Sequence, residues 1–253
     1  MEEVLERRFA QMGARLSLAE RPWNGAPRID VRGALFDIGF TGKGPQAEVE
    51  VIDVDARDRH LLLLVRNGGE KSKFLCGHDE RHWFVAAVPE AARGVTGVVS
   101  AKAALQPDAV QHVAARLKDP FRRRNAAYIR QGEWFFVPAP GVLVEKSRVL
   151  HNEPLTRGRG KAHVLQYAFR TGGTLVYANR QNPTGIGQER FQRLPADERK
   201  HGNWTRLMRD PDLYAKGTVR HPDHATITLS TWHRVLMNTE QRARAMQHVV
   251  FLD

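Results

Sequence analysis

Short apolar runs interrupted by polar turns dominate the first third of the chain. Glu48–Val54 alternates apolar and acidic side chains, and Leu61–Val65 is a continuous apolar run. Asn67–Gly69 then supplies the residues that tight hairpin turns require, before a further apolar segment at Lys73–Val88. The polar insert Gly77–His82 divides that segment and predicts a second tight turn. The pattern therefore predicts an antiparallel meander of strands.

Two segments carry helical periodicity instead. Val4–Leu18 spaces its apolar residues by three and four positions, which predicts an amphipathic N-terminal helix. We expect its apolar stripe to lie against the body of the protein or against a protein partner. Val98–Leu117 has one apolar stripe and few strand-forming residues, and Pro120 follows it. This segment predicts a helix at 98–118.

The second half of the chain again favours strands joined by tight turns. Ala126–Val137 has apolar and aromatic arms on both sides of Gln131-Gly132, and His163–Tyr167 and Thr174–Ala178 flank a glycine pair. Both patterns predict hairpins. The predicted fold class is α+β, mainly antiparallel sheet in hairpins and a meander, with a few flanking helices. Closure into a barrel-like sheet is an open alternative.

The proline- and glycine-containing segment Glu153–Lys161 is the candidate domain boundary. It would separate a β-rich domain at 1–152, which contains the predicted helix at 98–118, from an α+β region at 153–253. A chain of 253 residues can equally form one continuous domain with a sizeable core, so both organisations remain open.

Composition adds a strong positive charge to this picture. The chain has 39 Lys+Arg against 28 Asp+Glu, a net charge of +11, and a pI near 10.3, which is enough to attract a polyanion. The single cysteine excludes an internal disulfide and suits a reducing compartment, so we expect a cytoplasmic protein. We expect no membrane partner, because no run of about eighteen apolar residues occurs.

The basic residues are unevenly distributed. They concentrate in two segments, and the candidates for contacts with nucleic-acid phosphates are Lys118, Arg122, Arg123, Arg124, Arg130, Arg157, Arg159 and Lys161. RNA is slightly favoured over DNA, because the aromatic strands suit base stacking and no helix-turn-helix, zinc finger or basic zipper is legible. Compensation of a helix dipole is an alternative role for the first cluster, and a structural role in a nucleoprotein assembly is another.

Gly217–Asn238 concentrates the histidines. His221 and His224 border Pro222 and Asp223, a sequence that predicts a type I turn at the tip of a hairpin. In that geometry the two imidazoles face each other across the strands, close enough for one cation or phosphate. His233 follows, and we expect it to approach the same edge. The candidate catalytic residues are therefore His221, His224, His233 and Asp223.

The predicted turn at 77–82 carries a second set of candidate groups. Cys76, His78 and His82 are candidate metal ligands, although their spacing is unusual for a structural zinc site. Asp79, Glu80 and Asp223 are candidates to orient the imidazoles or to transfer protons themselves. The pattern leaves open a nuclease or phosphoryl-transfer enzyme that uses a divalent metal, with His221, His224 and one of His233, His78 or His82 as ligands. It equally leaves open an enzyme that uses histidines as general acid and base, and histidines that only satisfy turns. Convergence of the two turns is what any enzymatic hypothesis requires.

Overall fold

The α+β class with mainly antiparallel sheets is confirmed. The computed structural model of the protein describes residues 2–21, 28–41, 48–67, 69–157, 160–244 and 249–251. Within these ranges the strands form open sheets, and no closed barrel is present. No helix in the described ranges is both long enough and apolar enough to span a bilayer.

The elements alternate along the chain as follows. The α-helices are α1 (Glu2–Gln11), α2 (Val98–Leu105), α3 (Asp108–Ala114), α4 (Gln188–Gln192) and α5 (Ala196–His201). The strands are β1 (Arg15–Arg21), β2 (Arg28–Arg32), β3 (Leu35–Thr41), β4 (Glu48–Asp55), β5 (His60–Asn67), β6 (Glu70–Asp79), β7 (His82–Val88), β8 (Ile129–Gln131), β9 (Trp134–Pro138), β10 (Leu150–Leu155), β11 (His163–Thr171), β12 (Thr174–Ala178), β13 (Ile186–Gly187), β14 (Thr205–Arg209), β15 (Asp212–Arg220), β16 (Ile227–Met237) and β17 (Val249–Phe251).

Four sheets result from this order. The predicted meander is present as β4-β5-β6-β7, and a six-stranded antiparallel sheet has the order β10-β11-β15-β16-β9-β8. A smaller sheet has the order β13-β12-β14. The remaining sheet, β1-β3-β2-β17, is mixed, because β1 pairs with β3 and β17 pairs with β2 in parallel.

The continuous apolar run of β5 is explained by burial on both faces of the meander. Leu61 and Leu63 face the core that also contains residues of α1 and β3. Leu62, on the opposite face, packs with Ala101 and Leu105 of α2. A strand covered on both sides loses the alternation of apolar and polar residues that a half-exposed strand shows.

The N-terminal helix is shorter than its periodicity predicts. The helix α1 ends at Gln11, and Gly13 has φ +82°, a conformation that stops a helix. Arg15–Arg21 then forms β1. The apolar side chains Leu5 and Phe9 are buried in the protein's own core, so the stripe lies against the body, one of the two positions that the sequence leaves open for it.

The predicted helix at 98–118 is two helices. Pro107 has no backbone N–H to donate, and Gln106 takes an extended conformation with ψ 143° in front of it. The α2 segment therefore ends at Leu105 and α3 begins at Asp108. After Ala114 the chain forms turns up to Pro120.

The hairpin predicted around the glycine pair at 172 and 173 is wrong. The strand β11 pairs with β10 on one side and β15 on the other, so neither edge is free for β12. Gly173, with φ +86°, instead carries the chain into the β13-β12-β14 sheet. The six-stranded sheet also takes strands from both sides of residue 152, so the predicted boundary at 152/153 passes through that sheet.

Candidate functional site

The tip of the β15–β16 hairpin holds two histidines close together. The strands pair up to Val219 and Ile227, and the connecting segment contains His221 and His224. Their ring centroids are 4.7 Å apart. The backbone N–H of Asp223 donates to His221 Nδ1 at 3.1 Å, so the turn itself fixes the orientation of the His221 ring.

A third imidazole, that of His163, joins this pair from β11. Val164 pairs with Arg220 across the antiparallel β11–β15 ladder, and this register places the preceding residue, His163, beside His221. The His163 ring lies 4.2 Å from that of His221 and 5.6 Å from that of His224. One ring nitrogen of each residue lies within 4.8 Å of the other two. We refer to His163, His221 and His224 as the histidine cluster.

His163 is the buried member of the cluster. The residue is 2% exposed, and its Nε2 has no hydrogen-bond partner among the residues that the structure describes. Buried polar atoms in folded proteins are almost always paired, so an unpaired one is an exception that needs a physical reason. Two other buried polar atoms on the adjoining β8–β9 hairpin, Gln131 Oε1 and Trp134 Nε1, also lack a partner.

The β6–β7 turn reaches the cluster through Glu80. His224 Nδ1 donates to Glu80 Oε2 at 3.2 Å, and the backbone N–H of Ala225 donates to the same oxygen at 3.1 Å. Glu80 has φ +52°, a conformation that non-glycine residues seldom adopt and that occurs at functional sites more often than elsewhere. The two turns that carry the sequence candidates therefore meet.

The β8–β9 turn supplies the remaining side of the site. A Cβ placed on Gly132 would lie 3.0 Å from His224 Nε2 and 3.5 Å from His163 Nε2. These two nitrogens therefore face the same small space beside the glycine backbone. The adjacent Gln131 donates from Nε2 to the carbonyl oxygen of Ala225 at 2.6 Å, which ties this turn to the hairpin tip.

Arginines of the first basic segment reach the same turn. Arg123 forms ion pairs with both Asp79 and Glu80, and Arg130 Nη2 lies 3.0 Å from Asp79 Oδ2. Burial alone would raise the pKa of Asp79, but the two guanidinium groups outweigh it and lower that pKa. Asp79 is therefore ionised, and the arginines hold the β6–β7 turn against the 123–130 segment.

Lys161, in the second basic segment, lies beside the opposite edge of the cluster. Its Nζ is 3.0 Å from Asp223 Oδ2, and its carbonyl oxygen accepts from His221 Nε2 at 3.3 Å. The hydrogen bond from Lys161 lowers the pKa of Asp223. Asp223 thus acts as the partner of a lysine, while its backbone orients His221.

The imidazoles of the cluster are neutral near pH 7. Burial, together with the neighbouring imidazoles, lowers the pKa of His163 to about 3. Burial also lowers the pKa of His221 and of His224. Neutral imidazoles can accept a proton or coordinate a metal ion, but they do not serve as proton donors at this pH.

The structure does not bring the predicted metal ligands Cys76, His78 and His82 together. His82 pairs with Asp79 across the β6–β7 ladder, so it lies on the opposite face of the hairpin from Cys76 and His78. Cys76 is fully buried in the core, where burial raises the pKa of its thiol. The His78 ring packs against Trp83 at 5.0 Å, and His82 is exposed.

His233 also lies outside the cluster. It is 4% exposed within β16, opposite Ala215 and Pro138, and its Nδ1 bonds the carbonyl oxygen of Thr231 at 2.8 Å. The expected approach of this residue to the hairpin tip does not occur, because the strand continues straight away from the turn.

The remaining basic candidates differ in their surroundings. Lys118, Arg122 and Arg124 are exposed. Arg157 is half-buried and forms an ion pair with the buried Glu240, which makes it part of the fold. Arg159 lies outside the described residues.

Sequence reasoning identified His221, His224 and the orienting role open to Glu80, but it missed His163 and Gly132. The available signal for His163 was its place immediately after the basic, glycine-spaced loop at 156–162. Interpreting that signal requires knowing that β11 pairs with β15, a contact across roughly fifty residues of chain.

Comparison with known proteins gives no matching family model, no matching curated protein and no matching solved structure. Function is therefore inferred from the residues of this chain.

Proposed function

We propose that the protein binds nucleic acid beside the histidine cluster and hydrolyses a phosphodiester bond there. One observation carries the proposal: residues of both basic segments contact the turns beside the histidine cluster. Arg123 contacts Glu80, the partner of His224, and Lys161 contacts the His221 turn. A phosphodiester substrate requires both kinds of group, cations for its phosphates and a proton acceptor or metal ligand for the reaction.

The exposed cations provide the binding half of the proposal. Arg122 and Arg124 flank Arg123 in the chain and are exposed. Arg123 and Arg130 are already ion-paired with carboxylates, so their role is to hold the turn. RNA is the favoured ligand in this proposal because single-stranded bases can stack on aromatic side chains, and several of those in the described residues are partly exposed. The cytoplasm is the proposed location, since the lone cysteine suits a reducing compartment.

The neutral imidazoles support the hydrolytic half. In the proposed reaction a water oxygen forms a bond to phosphorus as the bond from phosphorus to the leaving oxygen breaks. The attacking water gives up a proton to a neutral imidazole of the cluster or, where the imidazoles hold a metal ion, to solvent, and the leaving oxygen takes one up from solvent water. An acid–base pair made only of these imidazoles is disfavoured, because it would need one of them protonated, whereas the pKa of each is lowered.

A salt series with a short single-stranded RNA tests the binding half. We expect the affinity to fall steeply and log-linearly with salt concentration, because bound phosphates displace counterions. The double variant Arg122→Glu/Arg124→Glu should bind at least about tenfold more weakly at low salt. Fluorescence anisotropy of a labelled RNA measures both effects.

The matched control is Arg190→Glu/Arg193→Glu, which makes the same charge change at two exposed positions, one in α4 and one directly after it. It should bind RNA with nearly the affinity of the wild type. No binding at low salt, or an equal loss in both double variants, would overturn the proposed binding surface. Tight binding with no cleavage of the RNA would overturn the hydrolytic half alone.

A further inference from the structure

We propose that His163, His221 and His224 bind one divalent transition-metal ion, with zinc the best match to the three nitrogen ligands. Catalytic zinc sites usually have three protein ligands and one coordination position that is open to water or substrate. The use of the ion in hydrolysis rests on the function proposed above, whereas binding of the ion does not.

The unpaired nitrogen of His163 is the first support. A neutral Nε2 that is buried, without a hydrogen-bond partner, and turned toward the same space as His224 Nε2 is a ligand atom without another role in the fold. Since Nδ1 of His224 donates to Glu80, the lone pair of its neutral ring lies on Nε2, the atom that faces this space.

The hydrogen bond from His224 to Glu80 is the second support. Histidine ligands of metals usually donate their other ring N–H to a carboxylate, which fixes the tautomer and makes the coordinating nitrogen more basic. Arg123 pairs with the other oxygen of Glu80, and the backbone N–H of Ala225 donates to the oxygen that accepts from His224. The orienting carboxylate is therefore fixed before any ion binds.

The spacing of the nitrogens fits an ion after a small closure. Zinc–nitrogen bonds of about 2.1 Å in a tetrahedral site place ligand nitrogens about 3.4 Å apart. The nitrogens of the cluster lie within 4.8 Å of one another, so a shift of about 1 Å, shared among the rings, brings them into range. His221 is on the half-buried tip of the hairpin. Its Nδ1 accepts from the backbone N–H of Asp223 at 3.1 Å and its Nε2 donates to the Lys161 carbonyl at 3.3 Å, so the ring must give up at least the hydrogen bond at the nitrogen that binds the ion.

The type of ligand atom decides which ion fits this point. The three candidate ligand atoms are imidazole nitrogens, and the nearby carboxylates of Glu80 and Asp223 are already paired with Arg123 and Lys161. Imidazole ligands suit zinc and its transition-metal neighbours, whereas magnesium and calcium require oxygen ligands. We therefore expect magnesium not to compete at this site.

Metal titration of the full-length protein, stripped with a chelator and kept free of nucleic acid, tests the inference. Equilibrium dialysis with zinc chloride should give one ion per chain, and cobalt chloride should produce the visible absorption bands of a low-symmetry nitrogen site. His163→Ala should lower zinc affinity more than about 100-fold. Even residues that only form hydrogen bonds to metal ligands contribute about 10–100-fold to metal affinity.

A pair of glycine variants separates blocking of the site from damage to the fold. Gly132→Ala places a methyl group 3.0 Å from His224 Nε2 in a residue with φ +57°, and Gly33→Ala introduces similar backbone strain at φ +53° with nothing within 4 Å. Gly132→Ala should lose zinc binding, and Gly33→Ala should keep it. Circular dichroism of each variant checks that it is folded before titration.

The outcomes separate a failure of the proposed metal site from a failure of the proposed hydrolytic function. A wild type that binds no zinc, or a His163→Ala or folded Gly132→Ala variant that binds as the wild type does, overturns the metal site even if RNA is cleaved. Zinc binding that is lost in both variants supports the site, even if the protein cleaves no RNA, in which case only the proposed function fails.

Discussion

Replacing both His221 and His224 by alanine is expected to lower the rate of RNA cleavage by about 10³-fold or more, because positioned proton-transfer groups contribute about 10²–10⁴-fold and metal ligands more. RNA affinity should change by less than about threefold, since exposed cations and not imidazoles supply most of the attraction. The two imidazoles lie on a hairpin tip, so their removal leaves the strand pairing of β15 and β16 intact. Single-turnover cleavage and anisotropy, measured on the same preparation, separate the two effects.

The matched control replaces two exposed histidines outside the cluster, His82 and His201, by alanine. His82 begins β7, two residues after Glu80, so the control also tests whether any change near this turn suffices. Its cleavage rate should equal that of the wild type. Unchanged turnover in the His221→Ala/His224→Ala variant would return these histidines to a purely structural role.

Asp79→Asn is expected to lower the free energy of unfolding by about 2 kcal/mol, the largest stability effect we expect from one polar substitution at this site. The carboxylate is 18% exposed and pairs with Arg123 and Arg130. Its loss removes the Asp79 partner of Arg130 and leaves Arg123 paired with Glu80 alone, at a cost below the 3–5 kcal/mol of a fully buried pair. Urea denaturation followed by circular dichroism measures the change.

The effect should depend on pH in a defined direction. The pKa of Asp79 is lowered in the folded protein, so its contribution is complete above the ordinary aspartate pKa of about 3.9 and is lost as the pH falls below that value. The difference between wild type and Asp79→Asn should therefore shrink in acid.

Asp210→Asn is the matched control for this prediction. The Asp210 side chain is 93% exposed, and its distance of 4.0 Å from Arg209 marks a weak surface pair. We expect a change within about 0.5 kcal/mol. Equal losses in Asp79→Asn and Asp210→Asn would contradict the structural role given to the Arg123–Asp79 pair.

Local structure in this protein follows from local sequence. The turns at 80–81, at Gly132 and at 221–224 all lie where glycine, proline, asparagine or aspartate interrupts apolar arms. These residues adopt turn conformations for reasons contained within a few positions of chain. The meander and the histidine pair of the last hairpin could be predicted for that reason.

Strand order does not follow from the same information. Alternation shows which face of a strand is buried, but it does not show which strand lies beside it. The pairing of β11 with β15 brings His163 to His221, and the prediction of a hairpin at Gly173 placed β12 where β15 lies. The omission of His163 from the predicted site and the wrong hairpin prediction therefore have one cause. Both depend on a contact between segments that are distant in sequence.

The alternation of side chains along a strand also explains why the structure does not bring Cys76, His78 and His82 together. Cys76, His78 and His82 are close in sequence, but the two-residue turn puts His82 on the face of Asp79. Glu80 instead lies in the turn itself and reaches the neighbouring hairpin. Residues of ligand type that are close in sequence form a site only where their side chains lie on the same face of the sheet.

Anomalous diffraction at the zinc edge, from crystals of the full-length protein grown with zinc chloride, tests the central claim most directly. The account predicts one peak beside Gly132, about 2.1 Å from one ring nitrogen each of His163, His221 and His224. A peak at His78, His82 or His233 with none at the cluster, or no peak near any histidine, would contradict it.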